Sequence, residues 1–345
     1  MKLARRLAPL ALCAALMPLA AMAQTKIKLT LNWKYEGPQA WFFVAQDKGY
    51  FKAEGLDVEI DQGEGSAAGV PKVAAGTYTA GFGDMNALIE LAARRPADAP
   101  VAVFMLYNNP PFTVAVKADS PIKTPKDFEG RTLGGPANDG ALKLFPTFAK
   151  VAGIDAAKVD ITNMAPNLRE QMLVRGQVEG VFGYITTIRF AAKGVGIDPD
   201  KDLRFVNFGD YGLDLYSNTL FFSRKFVAEH PEAVKGFLSA VNKAVKDVLK
   251  DPDMGVAAVL KREPLLKAPL EKEKLLYTLK RDMSHPELAR LGLGDVDDAR
   301  LKRSIDLVVQ ASSLPATPAV DQVFDHRFLP PRAERPSKLV PGGAD

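Results

Sequence analysis

Along the first hundred positions of the chain, segments in which apolar residues recur at every second position alternate with segments in which they recur at a helical spacing. Lys26–Asn32 alternates apolar and polar side chains with a period of two, which predicts a strand with one covered face. Gln39–Glu54 carries apolar residues at a helical spacing, and Gly55 is expected to end that helix. The elements predicted after it are, in order, strand Leu56–Asp61, a short helix capped by Ser66 and ending at Gly76, strand Thr79–Gly83, helix Met85–Arg95 and strand Pro100–Leu106. This alternation predicts a mostly parallel sheet with helices on both faces.

A second unit of the same kind follows a break at Asn108–Pro111. Its predicted elements are strand Phe112–Val116, strand Arg131–Gly134, helix Asp139–Val151, strand Lys158–Asn163, helix Asn167–Arg175 and strand Gly180–Tyr184. An extended passage at Leu203–Ser223 comes next, and the rest of the chain is predicted to be helical. The helices expected there are Pro231–Lys250, Pro252–Arg262, Glu271–Met283 and Asp297–Ser312.

Two extended crossings, near residues 108–113 and 208–218, connect these units. We therefore predict an α/β fold of two lobes, each a mostly parallel sheet flanked by helices, with two hinge crossings and a helical C-terminal third. Lobe 1 is expected to be discontinuous, formed by residues 24–110 and 215–330, and lobe 2 is expected to span 111–214. Residues 331–345, rich in proline, glycine and charge, are expected to be a disordered tail. Such lobes close on a ligand held between them.

The first 23 residues have the pattern of a secretory signal peptide. Lys2, Arg5 and Arg6 form a basic start, an apolar run follows, and Ala21–Ala23 places small residues before a cleavage site. The apolar run is shorter than the roughly 20 residues that a membrane-spanning helix needs. We therefore expect cleavage before Gln24 and a soluble, exported protein.

Composition is consistent with a globular protein and excludes several classes. Hydrophobic residues make up 47% of the 345 residues and charged residues 25%, as in chains that build a compact core. Without the three basic residues of the leader the net charge falls from +4 to +1, which gives no reason to expect a nucleic-acid partner. Cys13, in the leader, is the only cysteine, so no disulfide is expected after cleavage.

Two glycine-rich turns are the main candidates for binding a ligand. Gly63–Ala68 fits the G-x-G-x-x-A pattern of dinucleotide-binding turns, but it follows the second predicted strand rather than the first. A plain structural turn, and a ligand-binding loop that uses the Ser66 hydroxyl, are the alternatives. Gly134–Gly140 is a similar turn in the other unit, where Asn138 either contacts the ligand or caps a helix. Open α/β sheets bind ligands at these strand ends.

Aromatic and polar residues gather near the same strand ends. Trp33 and Tyr35 lie just past the first strand, and flat rings with polar tips suit a planar or cyclic ligand. The complete set of predicted ligand-binding residues is Asn32, Trp33, Tyr35, Gln39, Ser66, Asp84, Asn86, Tyr107, Asn138, Tyr184, Thr186, Asp210 and Tyr211.

A catalytic apparatus is not evident. His230, His285 and His326 all lie in the helical third, away from both glycine-rich turns, and the first two precede Pro-Glu pairs that are typical of helix starts. The H-E-x-x-H, P-loop and G-x-S-x-G patterns are missing from the sequence. We expect no catalytic residue, no metal and no cofactor, and therefore a protein that is not an enzyme.

Several short runs resemble one known family. They are Asn32-Trp33, the run Asp47–Val58 (DKGYFKAEGLDV), Gly63–Ser66, Val73–Gly76, Phe82–Asp84 and His230–Glu232 at the start of the long helix. Over about residues 26–312 the chain resembles the periplasmic solute-binding proteins of ABC importers. The branch is the one that handles thiamine-pyrimidine precursors, sulfonates, taurine and nitrate.

The resemblance implies a type II periplasmic-binding-protein fold and a monomer in the periplasm. It also implies delivery of a small ligand to an inner-membrane permease with a cytoplasmic ATPase. Pyrimidine-binding members commonly carry a histidine where Gln39 stands, and related eukaryotic pyrimidine synthases use a cysteine-rich motif that this chain lacks. A pyrimidine precursor or related heterocycle is the first hypothesis for the ligand, and Arg189 leaves a small organic anion open. An exported pyrimidine-related enzyme and a sensor domain are the alternatives from other classes.

Overall fold

The computed structural model describes residues 24–341. The predicted signal peptide, residues 1–23, lies outside this described part, as do residues 342–345. Between residues 24 and 341, none of the helices has both the length and the apolar character that crossing a bilayer requires.

Ten strands and fourteen α-helices are defined within the described residues. The strands are β1 (Thr25–Thr30), β2 (Leu56–Asp61), β3 (Ala80–Asp84), β4 (Val101–Met105), β5 (Phe112–Lys117), β6 (Thr132–Gly135), β7 (Asp160–Asn163), β8 (Gly180–Tyr184), β9 (Leu203–Asn207) and β10 (Asn218–Phe222). The helices before β10 are α1 (Ala40–Asp47), α2 (Tyr50–Ala53), α3 (Gly69–Ala74), α4 (Met85–Arg94), α5 (Gly140–Val151), α6 (Arg169–Val174) and α7 (Ile185–Gly194). Those after it are α8 (Arg224–Glu229), α9 (Pro231–Lys250), α10 (Pro252–Leu260), α11 (Ala268–Thr278), α12 (Leu288–Leu291), α13 (Asp298–Ala311) and α14 (Val320–Val323).

The strands form two five-stranded sheets, and the predicted α/β architecture is confirmed. The first sheet has the order β2-β1-β3-β10-β4 and the second β7-β6-β8-β5-β9. In each sheet four strands run in one direction and one strand runs against them, β10 in the first and β5 in the second. These two antiparallel strands directly follow the passages in which the chain moves from one sheet to the other.

Burial along the strands follows the sequence pattern. In β2, Leu56, Val58 and Ile60 are buried while Asp57 and Glu59 are exposed, so this edge strand covers the core with one face. The central strands β3 and β8 are buried at every position, which requires apolar or small residues throughout.

The helical predictions differ from the structure where the backbone changes conformation. Gln39–Glu54 is two helices rather than one, because Gly49 adopts a left-handed φ of 72° between α1 and α2. The helix predicted at Glu271–Met283 also changes its hydrogen-bonding pattern. Helix α11 ends at Thr278, and a π-helical turn, Leu279–Met283, follows it directly. The short helix predicted from Ser66 begins at Gly69 without a side-chain cap.

The C-terminal helices pack against flanking helices of both units, and in the first unit α9 packs on α1 and α13 packs on α4. Helix α11 packs on α7, with the rings of Phe190 and Tyr277 5.7 Å apart. Helix α13 packs on α5, and beside it Thr147 Oγ1 lies 2.7 Å from Ser312 Oγ. The helical third therefore bridges the units that carry the two sheets.

Residues 331–341 of the tail expected to be disordered are packed against this helical region. Arg335 is buried and donates from Nη1 to the carbonyl oxygen of Leu293 at 3.1 Å, and Leu293 N donates to Pro336 O at 2.8 Å. Leu339 is also buried. The prediction of disorder is therefore wrong for residues 331–341, which are held by buried side chains and hydrogen bonds.

Candidate functional site

The two glycine-rich turns face each other across the gap between the sheets. One follows β2, the other follows β6, and Ala67 N donates a hydrogen bond to Asn138 O at 3.2 Å. Gly65 has a φ of 144°, and a Cβ there would lie 2.2 Å from that same carbonyl oxygen. Only glycine allows this approach. The structure thus brings the carboxyl ends of strands from both sheets to one place, where α/β sheets bind ligands.

Three polar side chains surround Gly140 at the start of α5. A Cβ on Gly140 would lie 2.4 Å from Ser66 Oγ and 3.2 Å from both Asp84 Oδ2 and Tyr184 OH. Ser66 and Asp84 belong to the first sheet's unit, whereas Gly140 and Tyr184 belong to the second. Because glycine has no side chain, the backbone of the second unit at residue 140 can approach Ser66 and Asp84 of the first.

The two oxygens of the Asp84 carboxyl have different surroundings. Oδ1 accepts hydrogen bonds from Asn86 N at 3.2 Å and Asn86 Nδ2 at 2.9 Å, which caps α4. Oδ2 faces Gly140 and has no hydrogen-bond partner within residues 24–341. Burial raises the pKa of Asp84 to about 7, since no cation compensates for the loss of water. Asn86 is fixed by a second bond, to Tyr216 O at 2.8 Å.

Tyr184 connects the second sheet to the first. Its hydroxyl donates to Asn218 Oδ1 at 2.9 Å and lies 2.8 Å from Ser217 Oγ, both at the start of β10. Its ring packs edge-on against Phe112 at 5.4 Å. Burial raises the pKa of Tyr184 well above its ordinary value, so it acts as a neutral hydrogen-bonding group.

Asn32, Trp33 and Gln39 form the wall contributed by the end of β1. Gln39 Nε2 donates to Asn32 Oδ1 at 2.9 Å, and both side chains are buried. Trp33 is 7% exposed, and the guanidinium carbon of Arg169 lies 5.5 Å from the centre of its ring. This distance allows a cation–π contact between the two units.

Arg169 is a site residue that the sequence did not reveal. It is 1% exposed and donates from Nε to Glu170 Oε1 at 2.8 Å, while Nη1 lies 3.7 Å from Asp139 Oδ2. Asp139 caps α5 through Ala141 N at 2.9 Å, and burial raises its pKa. In the sequence Arg169 is one basic residue in the first turn of a predicted helix, and no local pattern marks it.

Two neighbouring cavities lie between the units. The inner cavity, of about 10 Å³, is lined by Asn32, Trp33, Ser66, Asp139, Tyr184 and Thr187. It has room for about one water molecule. Trp33 and Thr187 separate it from an outer cavity of about 190 Å³ that reaches Arg169 and Glu170. A ring-sized ligand therefore requires the units to separate before it can reach Ser66.

Larger cavities lie elsewhere. One of about 460 Å³ lies beside Lys117 and Leu203, at the opposite end of the second sheet from Tyr184. Another of about 530 Å³ lies beside Val101 and Arg224. Their size does not make them better candidates, because they lack the converging buried polar groups of the gap between the sheets.

Some predicted site residues lie apart from this cluster. Tyr35 donates its hydroxyl proton to Ile60 O at 2.5 Å and packs its ring edge-on against Phe43. Tyr107 is buried with its ring edge-on to Phe82 at 5.6 Å. Burial raises the pKa of Tyr107 well above its usual range.

The remaining predicted residues lie on the second unit. Thr186, at the start of α7, donates from Oγ1 to Asp282 Oδ2 at 2.6 Å. Asp210 accepts a bond from Asn207 Nδ2 at 3.1 Å, and Tyr211 is 37% exposed. Arg189, the candidate for binding an anion, pairs with Asp200 on the surface rather than facing the cavities.

Within residues 24–341, no three His, Cys, Asp or Glu side chains are grouped to hold a metal ion.

The architecture is that of the periplasmic binding proteins. A solved alkanesulfonate-binding protein from Xanthomonas axonopodis pv. citri superposes with a TM-score of 0.65 and 14% identity, covering 88% of this chain and 98% of that one. The chain belongs to the NMT1/THI5-like family, whose model matches residues 39–254.

The curated relatives include both binding proteins and enzymes. A riboflavin-binding protein from Chloroflexus aurantiacus is 26% identical, over 84% of this chain and 82% of the relative. A formylaminopyrimidine-binding protein from Halalkalibacterium halodurans is 26% identical over 75% and 78%. A 4-amino-5-hydroxymethyl-2-methylpyrimidine phosphate synthase from Schizosaccharomyces pombe is 25% identical over 67% and 68%.

Proposed function

We propose that this protein is the solute-binding component of an ABC importer. It captures a small planar or cyclic molecule between its two lobes in the periplasm and delivers it to a permease. The observation that carries the proposal is the buried polar group around Gly140, to which both units contribute side chains. A site divided in this way is complete only when the lobes close, which couples ligand capture to a change of shape.

Trp33 supports a ring-shaped ligand. Its side chain lines both the inner and the outer cavity, so a ligand that moves from one to the other passes its ring. In the structure the guanidinium of Arg169 lies over that ring, in the place that a planar ligand would take by stacking. The relatives named for riboflavin and formylaminopyrimidine are consistent with a nitrogen heterocycle.

An enzyme of pyrimidine chemistry is the second candidate, favoured by the relative named as a pyrimidine phosphate synthase. The side chains gathered around Gly140 are a serine, a carboxyl group and a neutral tyrosine. His285 lies near Glu287 and His326 lies between Asp295 and Asp298, so neither histidine belongs to this group. The Asp84 carboxyl is the one acid–base group beside Ser66, and without an imidazole in the group we take the serine to be a binding group rather than an activated nucleophile.

A ligand panel tests the proposal. The exported protein, purified from the periplasm, is heated with pyrimidines, flavins, sulfonates and aromatic acids, and any small molecule that it carries is identified by mass spectrometry. A ligand at 100 times its Kd should add about 2.7 kcal/mol to the apparent stability. Binding without chemical change of the compound supports an importer component. Recovery of a converted compound from the same incubation would support the enzyme instead.

A further inference from the structure

Asp282, in the π-helical turn after α11, places a buried carboxyl group against the second unit. Its Oδ2 accepts a hydrogen bond at 2.6 Å from Thr186 Oγ1, on the helix that directly follows β8. Its Oδ1 is also buried and has no hydrogen-bond partner among residues 24–341. Asp282 is 1% exposed, so bulk water does not reach the carboxyl group in the arrangement that the structure shows.

Buried polar contacts fix α11, and with it this turn, to the first unit. Gly37 N donates to Glu271 Oε2 at 2.7 Å, and Lys274 Nζ lies 3.0 Å from Glu36 Oε2. The bond from Thr186, in contrast, joins the turn to the second unit. Separation of the lobes, which the proposed function requires, would break this bond and let water reach the carboxyl group.

The surroundings of the Asp282 carboxyl group favour its neutral form. The titratable groups that act on it are Tyr107 after β4, Tyr277 on α11 and Arg281 in the turn itself. Arg281 and the bond from Thr186 favour the charged form, but burial disfavours it more strongly and raises the pKa of Asp282 to about 7. The pKa of an aspartate in water is about 4.

We propose that Asp282 and Thr186 form a proton-linked latch, in which the Asp282 carboxylate takes up a proton from solvent when the lobes close and releases it when they separate. This inference rests on the proposed function, because it requires lobes that open and close. Neither residue lines the two cavities between the units, so the linkage does not depend on the chemistry of the captured molecule. Closure, and with it capture, should be favoured at acidic pH.

The linkage also determines how strongly pH acts on closure. Below about pH 4 the carboxyl group is protonated in both arrangements, and above about pH 7 it is ionised in both. Between these values only the closed arrangement holds the proton, so each pH unit lowers the closing equilibrium up to about tenfold. From pH 5.5 to pH 8 the equilibrium should fall roughly 30-fold through this group alone.

Amide hydrogen exchange of the ligand-free protein measures the latch. Ala67 N is bonded to Asn138 O across the gap, so its protection follows the closed fraction. Asp282→Asn keeps the shape of the side chain but cannot titrate, and comparison at equal pH cancels the titration of other groups such as Asp84. The ratio of parent to variant protection should fall roughly 30-fold from pH 5.5 to pH 8. Asp57→Asn, an exposed change on β2, should give a constant ratio.

Calorimetry covers a protein whose lobes stay apart until a ligand enters. Riboflavin is titrated first, and then the other compounds of the ligand panel, in buffers that differ in ionisation enthalpy. At pH 5.5 binding should take up about one proton more in the parent than in Asp282→Asn, and at pH 8 the difference should nearly vanish.

Thr186→Val keeps the test decisive if Asp282→Asn does not fold. Loss of the hydroxyl group removes a donor that favours the carboxylate, so the pKa of Asp282 should rise further. The fall in Ala67 protection should then occur at a higher pH than in the parent. A purely structural role for Thr186 would lower protection by the same factor at every pH.

The outcomes for the latch and for the proposed function can be told apart. A parent-to-variant ratio that does not change with pH, together with equal proton uptake in the two proteins, overturns the latch. The importer function still stands in that case if a compound of the panel binds unchanged. If no compound binds, the proposed function fails and the exchange ratios alone decide on the latch. An unprotected Ala67 with no compound bound contradicts both.

Discussion

The backbone N–H of Ala67 and the carbonyl oxygen of Asn138 are joined by a hydrogen bond of 3.2 Å between turns that belong to different sheets. Seventy residues of chain separate the two partners, and each lies at the carboxyl end of a strand in its own sheet. The proposed separation of the lobes would break this bond and the Tyr184–Asn218 bond. Both contacts would then report whether the lobes are together.

Gly140→Ala should hinder closure of the lobes without unfolding either one. The added Cβ would lie 2.4 Å from Ser66 Oγ across the gap, and overpacking of this kind costs about 1–3 kcal/mol. Ligand affinity should fall by roughly 5- to 150-fold, with a larger radius of gyration in small-angle scattering. Gly194→Ala, at the end of α7 with no atom near its new Cβ, is the control. Equal affinity in the two variants would refute the role given to residue 140.

Trp33→Ala should reduce binding more than stability, whereas Trp41→Ala should do the reverse. Trp33 lines the cavities between the lobes, but Trp41 is fully buried in the core of the first unit, with its ring 6.0 Å from that of Phe42. Loss of a core tryptophan costs about 3–5 kcal/mol of unfolding free energy. Loss of an aromatic ligand contact costs about 1–3 kcal/mol of binding.

Chemical denaturation and calorimetry on the two tryptophan variants separate these effects. If Trp33→Ala melts as early as Trp41→Ala and binds ligand normally, Trp33 is a core residue and the site lies elsewhere.

Asp282→Asn should become more stabilising as the pH rises. Asp282 is buried in the π-helical turn next to Thr186, and burial raises its pKa to about 7 from an ordinary value near 4. Folding therefore favours the protonated carboxyl of Asp282. The protonated carboxyl adds no penalty to the free energy of unfolding below about pH 4, and the folded protein loses stability as the pH rises from 4 to 7.

The asparagine variant has no such titration, so its stability relative to the parent should increase between pH 5 and pH 8, by ~2–4 kcal/mol at most. Urea denaturation at several pH values measures the difference, with Asp57→Asn as the exposed control. A difference that is constant with pH would show that Asp282 is ionised in the folded protein.

Arg300→Ala should destabilise the hinge. Arg300 Nη2 donates to Asn108 O at 2.8 Å and to Asp214 Oδ1 at 2.7 Å, one on each crossing between the sheets, and Nη1 donates to Glu287 Oε1 at 3.1 Å. Removal of one partner of a buried ion pair costs about 3–5 kcal/mol. Arg303→Ala, an exposed change on the same helix, should alter stability by less than about 0.5 kcal/mol. Similar melting temperatures for the two variants would argue against a structural role for the Arg300 contacts.

Local patterns in the sequence were sufficient for most elements of the fold. Strand β2 and helix α9 lie at the predicted residues, because period-two burial defines the strand and Pro231 marks the first turn of the helix. The π-helical turn Leu279–Met283 could not be predicted in this way. Its apolar residues continue the spacing of α11, and the change in hydrogen bonding depends on contacts with distant parts of the chain.

The glycine pattern after two predicted strands marked both turns of the candidate site. The contact of Gly65 with Asn138 gives the physical reason, because this approach of the two backbones requires glycine. Arg169 was missed because its partners, Trp33 and Asp139, are distant in sequence and approach it only when the two units meet. Aromatic character alone did not distinguish a cleft residue such as Trp33 from the exposed Tyr211.

Hydrogen exchange with and without the tightest ligand tests most directly whether the ligand lies between the two sheets. Ligand is expected to slow amide exchange in residues 63–68 and 135–142 together, because closure buries both turns and protects bonds such as Ala67 N to Asn138 O. Exchange in residues 117–119 and 201–203, beside the cavity of about 460 Å³, should be unchanged. Protection of that region with none at the two glycine-rich turns would contradict the account.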